Sequence, residues 1–142
     1  NAEKSGCEIV LPVDLVCTKE FAANAPNRTC GLDDVAADEM ILDAGPATVT
    51  RLESVMDEAN TLIWNGPLGV FEIEEFSRGT MEIARSVADS SALSVVGGGD
   101  SVTAVIRAGL GDSISHLSTG GGASLTFMAG RPLPGVEILT NK

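Results

Sequence analysis

Two octapeptides constrain this chain more than any other feature. VGGGDSVT at residues 96–103 and TGGGASLT at 119–126 agree at five of eight positions and lie 23 residues apart. Three consecutive glycines suit neither a helix nor a strand interior, because glycine loses more backbone freedom on folding than any other residue. An apolar run leads into each copy, ALSVV or SISHLS, and the segments that follow read as helix starts. Each copy therefore falls where a strand ends and a helix begins. A separation of about one helix plus one strand points both glycine-lined helix N-termini toward the same edge of a sheet. Ligands of parallel α/β sheets sit beyond that edge, and helix N-termini favour anions.

The rest of the chain alternates in the same way. Residues 8–18, EIVLPVDLVCT, are apolar and β-branched and read as a strand ending near Asp14. Residues 19–38 are polar, broken by Pro26 and the GLDD turn, and read as an irregular excursion. MILDAG is a short second strand. Pro46 opens a helix, where its missing N–H is not needed, with Val49, Leu52, Val55, Met56 and Ala59 on one face. Thr61–Trp64 is a buried strand ending at Asn65-Gly66-Pro67. A helix from about Glu74 buries Phe76, Thr80, Ile83, Ala84 and Val87, with acids in its first turn to complement the dipole. Ala92–Val96 is the next strand, Asp100–Ala108 a helix with Val102, Val105 and Ile106 inward, and SISHLS the last strand. Strands separated by helices imply an α/β fold with parallel pairing, a Rossmann-like sheet with flanking helices.

Composition narrows the chemistry. With 142 residues and 44% hydrophobic content the chain fits one domain with an ample core. No apolar run is long enough to span a bilayer. The start, NAEKSGCEIV, lacks the basic and apolar regions of an export signal. It also lacks a methionine, which suggests a processed or excised chain. Cys7, Cys17 and Cys30 form no C-x-x-C pair, and their odd number points to buried reduced thiols of a cytoplasmic protein. A net charge of −11 disfavours nucleic acid and anionic membranes as partners. No lysine lies between Lys19 and Lys142, so any phosphate must be held by backbone N–H groups, helix N-termini or a metal ion.

Two familiar phosphate loops are absent. A G-x-G-x-x-G from Gly97 would need glycine where Val102 stands, and no Gly-Lys-Ser/Thr tripeptide occurs. Gly97, Gly98 and Gly99 can serve a tight turn or the close approach of a ligand. Asp100 can cap the helix that follows, or hold a Mg²⁺ that bridges it to a nucleotide phosphate, a hard ion suited to one carboxylate. Ser101 can donate to a phosphate oxygen or merely occupy the first turn. In the second copy Ala123 replaces the acid, so Gly120, Gly121 and Gly122 make an anion site without a metal, or a helix start packed on a loop. Asn65 can present its amide to a ligand, and Glu72 can accept from ribose hydroxyls or be one more first-turn acid. Trp64 reads as core, and His116 as a structural histidine in a buried strand.

The motifs LDAGP, IWNGPLGVFE, SRGT, VVGGGDS, SHLSTGGGAS and LPGVEIL follow in the order found in phosphoglycerate kinases, and the chain resembles that family over nearly its whole length. The resemblance implies the later part of the C-terminal, nucleotide-binding domain of a two-domain kinase. That enzyme moves a phosphoryl group between 1,3-bisphosphoglycerate and ADP with Mg²⁺, in glycolysis. It implies that Leu42 lines the adenine side, that Asn65 and Pro67 face the nucleotide, and that Glu72 takes the ribose. Gly98 and Gly99 then approach the phosphates, Asp100 binds the metal, and Ser101 stands where the family often has threonine. Gly120, Gly121 and Gly122 face the transferring phosphoryl group. Thr126 and Ala129 stand where many relatives carry glutamate.

By the same resemblance the 3-phosphoglycerate domain, the family's basic arginine and its phosphate-binding lysines belong upstream of residue 1. Little activity is then expected of this chain alone, and a non-catalytic nucleotide-binding module or an inert structural fragment are the competing readings. The resemblance also implies missing strands between EIVLPVDLV and TLIW. Exposed inner edges invite pairing with another chain, so self-association or rearranged packing around the first strand is expected.

Overall fold

A computed structural model describes residues 1–139. After a single-turn α1 (Ala2–Ser5), two three-stranded sheets build the molecule. In the first, β1 (Asp14–Thr18) is flanked by β2 (Asn27–Gly31) and β3 (Met40–Ala44), and both pairings are antiparallel. Three expectations change here. The first strand begins at Asp14 instead of ending there, since residues 8–13 carry no ladder, Pro12 has no N–H to give one, and Ile9 and Leu11 stay exposed. The polar excursion hides β2, an edge strand with Asn27, Arg28 and Thr29 exposed and only Cys30 buried, so no apolar alternation announces it. The pairing is antiparallel because residues 19–26 are too few for the crossover a parallel pair requires.

Asp14 joins this sheet to α2 (Pro46–Met56). Its carboxylate accepts the N–H groups of Ala47 (3.0 Å) and Thr48 (2.7 Å), while the Thr48 hydroxyl oxygen accepts from Val13 (2.9 Å) and Asp14 (3.0 Å). The helix's own N-cap is Gly45, which has no side chain to offer, and a Cβ there would overlap the Asp14 carboxyl. Burial works to raise the Asp14 pKa, but the hydrogen bonds from Thr48 and the Ala47 and Thr48 backbone outweigh it and hold the carboxyl below its ordinary value.

The second sheet is the expected parallel one. It holds β4 (Thr61–Asn65), β5 (Leu93–Gly97) and β6 (His116–Ser118), in that order, linked by α3 (Arg78–Asp89) and α4 (Gly99–Arg107). Two further helices follow, α5 (Gly121–Met128) and the single-turn α6 (Pro134–Glu137). One face of the sheet packs Trp64 and Val96 against Val49 of α2, Ile83, Ala84 and Val87 of α3, and Val102 and Val105 of α4. Its other face carries Ile63, Val95 and His116 in one cross-strand row, bounded by Ser124, Phe127 and Met128 of α5.

Several residues differ from the sequence reading. His116 is exposed because no layer among the described residues covers it. Ile106 is 62% exposed, since the small residues Ser101 and Ala104 join Val102 and Val105 in the buried arc of α4 and turn Ile106 outward. Val55 lies at the margin of the α2 stripe and is exposed as well. The acids expected at the α3 start belong to a separate helical turn, Glu74–Phe76, whose Phe76 is buried with Leu42 and Ala25 in a cluster of its own. Among the cysteines, Cys17 and Cys30 are buried with their sulfurs 3.4 Å apart, sharing a thiol hydrogen bond and no disulfide, whereas Cys7 is exposed. No helix among the described residues is long and apolar enough to cross a membrane.

Candidate functional site

The parallel register brings three strand ends into line, with Asn65 beside Gly97 and Gly97 beside Ser118. Both glycine clusters lie just beyond this edge. Gly98 takes φ +94°, a backbone region closed to most side chains, and caps α4; its N–H donates to the Ser118 carbonyl at 3.0 Å. Gly120 caps α5, and Ser124 N–H donates back to its carbonyl at 2.8 Å. The two turns touch backbone to backbone, so that a Cβ on Gly121 would lie 2.9 Å from Gly98 Cα. The Asn65 amide sits between them and donates to the Gly121 carbonyl at 3.4 Å. A Cβ on Gly99 or Gly122 would meet only open space. The arrangement is a bare backbone floor at two helix N-termini.

Asp100 is exposed in the first turn of α4. The N-cap is Gly98 and no side chain caps this helix, so the capping alternative for Asp100 is not what the structure shows. Its carboxylate is free to meet a ligand. No cluster of three metal-ligating residues exists among the described residues.

Ser101 is fully buried and its hydroxyl oxygen accepts the Gly66 N–H at 2.7 Å. It thereby ties α4 to the loop 65–72. That loop is held along its whole length. Trp64 Nε1 donates to the Gly66 carbonyl (2.7 Å), Leu68 and Gly69 N–H donate to Thr80 Oγ1 (3.1 and 3.2 Å), Val70 N–H to the Leu42 carbonyl (2.9 Å), and Arg107 Nη1 to the Phe71 carbonyl (3.0 Å). Pro67 is half-buried in it and Glu72 exposed at its end. The Leu42 side chain is buried under Val70 and Ile73. Asn65, Gly97, Gly98 and Gly121 are thus brought into contact, Ser101 joins them through Gly66, and Leu42 and Glu72 are connected to them by the loop. The sequence reading placed Thr80 only as core and Asp43 only within LDAGP and did not single out Arg107; the bonds these three make to backbone groups distant in sequence escaped it, since no local spacing marks such a bond.

The family model described as phosphoglycerate kinase matches residues 1–131. This chain belongs to the phosphoglycerate kinase family. It is 51% identical to the phosphoglycerate kinase of Novosphingobium aromaticivorans over 98% of its own length and 52% identical to that of Zymomonas mobilis over 97%, spanning 36% of each. The structure of phosphoglycerate kinase from Coxiella burnetii superposes with TM-score 0.89 at 43% identity, covering 98% of this chain and 36% of that one. That from Pyrococcus horikoshii gives 0.75 at 36% identity, covering 89% and 31%. The chain thus spans about a third of the length of these relatives. The rearranged packing expected around the first strand is not seen, because agreement with the Coxiella phosphoglycerate kinase extends across 98% of the chain.

Asp43, inside the LDAGP motif, also gives the fold a pH dependence. Burial pushes its carboxyl up to about 6, against the N–H groups of Gly79 and Ala44 that favour the charged form, and Glu82 adds to the rise. A raised folded pKa means stability that is full below pH ~4 and lost as pH climbs through about 6. Thermal melts are expected to show the melting temperature falling between pH 4 and 6. In Asp43→Asn that slope should flatten, and an unchanged slope would assign it to another group.

Proposed function

We propose that this chain is the later part of the nucleotide-binding domain of a two-domain phosphoglycerate kinase. Its glycine-lined edge then holds the phosphates of ADP or ATP during reversible phosphoryl transfer with 1,3-bisphosphoglycerate and 3-phosphoglycerate. The observation that carries this reading is the meeting of two glycine turns at one sheet edge, with a free carboxylate on one turn and none on the other. Phosphoryl transfer depends on positioning and on neutralising charge over the moving group.

In this reading the start of α4 offers Gly98 and Gly99 to the nucleotide phosphates, and Asp100 would hold Mg²⁺ beside them. Bound there, the metal supplies charge neutralisation across the phosphates. The acid-free turn, Gly120 to Gly122, gives the moving phosphoryl group N–H donors without a repelling carboxylate. Asn65 presents its amide between the turns. Glu72 accepts from the ribose, Pro67 walls the base side, and Leu42 shapes the adenine side from beneath through its packing under Val70. Ser101 serves by fixing Gly66. Two buried thiols close together and not joined by a disulfide fit a reducing compartment, and the cytoplasm is where we place the protein.

With no lysine from residue 20 to 141, the chain has few cations to complete the transfer. Calorimetric titration with MgADP is expected to show binding that Asp100→Ala weakens roughly tenfold, equivalent to about 1.4 kcal/mol. With EDTA present the two proteins should bind ADP alike. Equal affinities in Mg²⁺ would remove the metal role. Production of ATP from 1,3-bisphosphoglycerate is expected to be negligible, and turnover at roughly 1–100 s⁻¹, the usual range for kinases, would overturn the view that this chain is incomplete. We also propose that on its own it self-associates through the bare sheet face.

A further inference from the structure

Asp43 is the most deeply buried carboxylate among the described residues, 2% exposed, and no cation pairs with it. Its two hydrogen bonds come from backbone, Gly79 N–H to Oδ2 at 2.8 Å and Ala44 N–H to Oδ1 at 2.9 Å. Gly79 lies in the first turn of α3, whose N-cap Ser77 makes no capping bond. Asp43 therefore supplies from β3 the anion that this helix start lacks.

Two glycines make the room. A Cβ on Gly79 would stand 2.6 Å from Asp43 Oδ1, and one on Gly69 would overlap the carboxyl and approach the Leu42 carbonyl to 2.7 Å. The carboxylate thus fills the space that two absent side chains leave, one on α3 and one on the loop 65–72. The loop is suspended from the neighbours of this very contact. Val70 binds the carbonyl of Leu42, next to Asp43, and Leu68 and Gly69 bind the hydroxyl of Thr80, next to Gly79. The spacing between β3 and α3 sets where the loop hangs, and the Asp43–Gly79 bond sets that spacing.

We infer that Asp43 is a positioning residue for the nucleotide loop: without touching the nucleotide, it sets the course of residues 65–72 and so the placement of Asn65 and Glu72 at its ends. The nucleotide half of this inference rests on the function proposed above. Asparagine at 43 keeps the shape but turns an NH₂ toward one of two N–H donors, and glutamate overfills the glycine cradle.

Three readouts on this chain test it: amide hydrogen exchange at Leu68, Gly69 and Val70, the emission of Trp64, and the MgADP dissociation constant. Trp64 is the single tryptophan, and its indole bonds Gly66 in the loop. In Asp43→Asn, exchange at the three loop amides is expected to quicken at least tenfold while Val96 and Val105 keep their wild-type rates. Trp64 emission is expected to shift to the red, and MgADP to bind at least tenfold more weakly. Asp43→Glu is expected not to rescue any of these.

Loop exchange and Trp64 emission unchanged in a folded variant would overturn the inference. If the wild-type chain binds no MgADP, the nucleotide reading fails on its own, and exchange and emission still decide the role of Asp43. Should Asp43→Asn fail to fold, Asp43→Ala combined with Gly79→Ala fills the vacated space with a methyl and takes its place. The same loosening is expected there, and wild-type loop protection in that variant would overturn the inference equally.

Discussion

Gly121→Ala is expected to lower stability and ligand binding together, although it adds a single methyl. That methyl would lie 2.9 Å from Gly98 Cα and 3.4 Å from Gly98 N. Gly98 has nowhere to retreat, because its N–H is bound to Ser118, its φ of +94° is fixed by the turn, and α4 begins at the next residue. Overpacking of this kind costs about 1–3 kcal/mol, which for a chain of this size is a fall of roughly 3–10 °C in melting temperature. The two turns would also separate, and MgADP affinity should drop more than tenfold. Gly99→Ala supplies the contrast. Its methyl meets open space at the start of a helix, so the melting temperature should hold or rise slightly. That methyl would still stand on the floor where a phosphate must approach, and MgADP binding should weaken without any loss of stability. If Gly99→Ala binds MgADP as tightly as wild type, the phosphates do not lie over α4.

The difference between these two glycines shows where sequence reading stops. Three glycines in a row at a strand-to-helix junction declared a close backbone approach, and the repeat 23 residues later placed a second one at the same edge. Periodicity also gave α2, α3, α4 and the parallel sheet, because each buries one face and the spacing of apolar residues records that face. It could not divide the glycines into those pressed against backbone and those facing space, since that depends on how two turns meet. For the same reason β2 was invisible: an edge strand with one inward residue leaves no pattern. Ser101 is the sharpest case. Its position beside Asp100 suggested a ligand contact, and its hydroxyl is in fact engaged by Gly66, 35 residues away in sequence. His116 and Ile106 were misjudged in the opposite sense: reading His116 as inward assumed a layer on both faces of the sheet, and reading Ile106 as inward overlooked that the small residues Ser101 and Ala104 share the buried arc of α4.

That missing layer leads to the second large effect, concentration-dependent assembly of the isolated chain. A compact monomer of 14.6 kDa exposes about 6,900 Å² by the usual scaling of surface with mass. This chain exposes 9028 Å². The excess of roughly 2,100 Å² exceeds the ~800 Å² that each partner gives to a standard protein–protein interface. Part of it lies on the extended residues 6–13 and the C-terminal stretch, where Ile9, Leu11 and Ile138 are open. The remainder includes the row Ile63, Val95 and His116, continuous with Phe127 and Met128 around a cavity of about 300 Å³. The outer edge of β4 pairs with no strand among the described residues, so a second copy can add to the sheet as well as cover it. Sedimentation velocity is expected to show dimers or larger species growing with concentration, and Ile63→Lys, a charge at the end of that row on the edge strand β4, should shift the population to monomer with little change in melting temperature. A chain that stays strictly monomeric at high concentration would mean that α5 shields this face in solution, and the excess surface would then belong to the two terminal flanks alone.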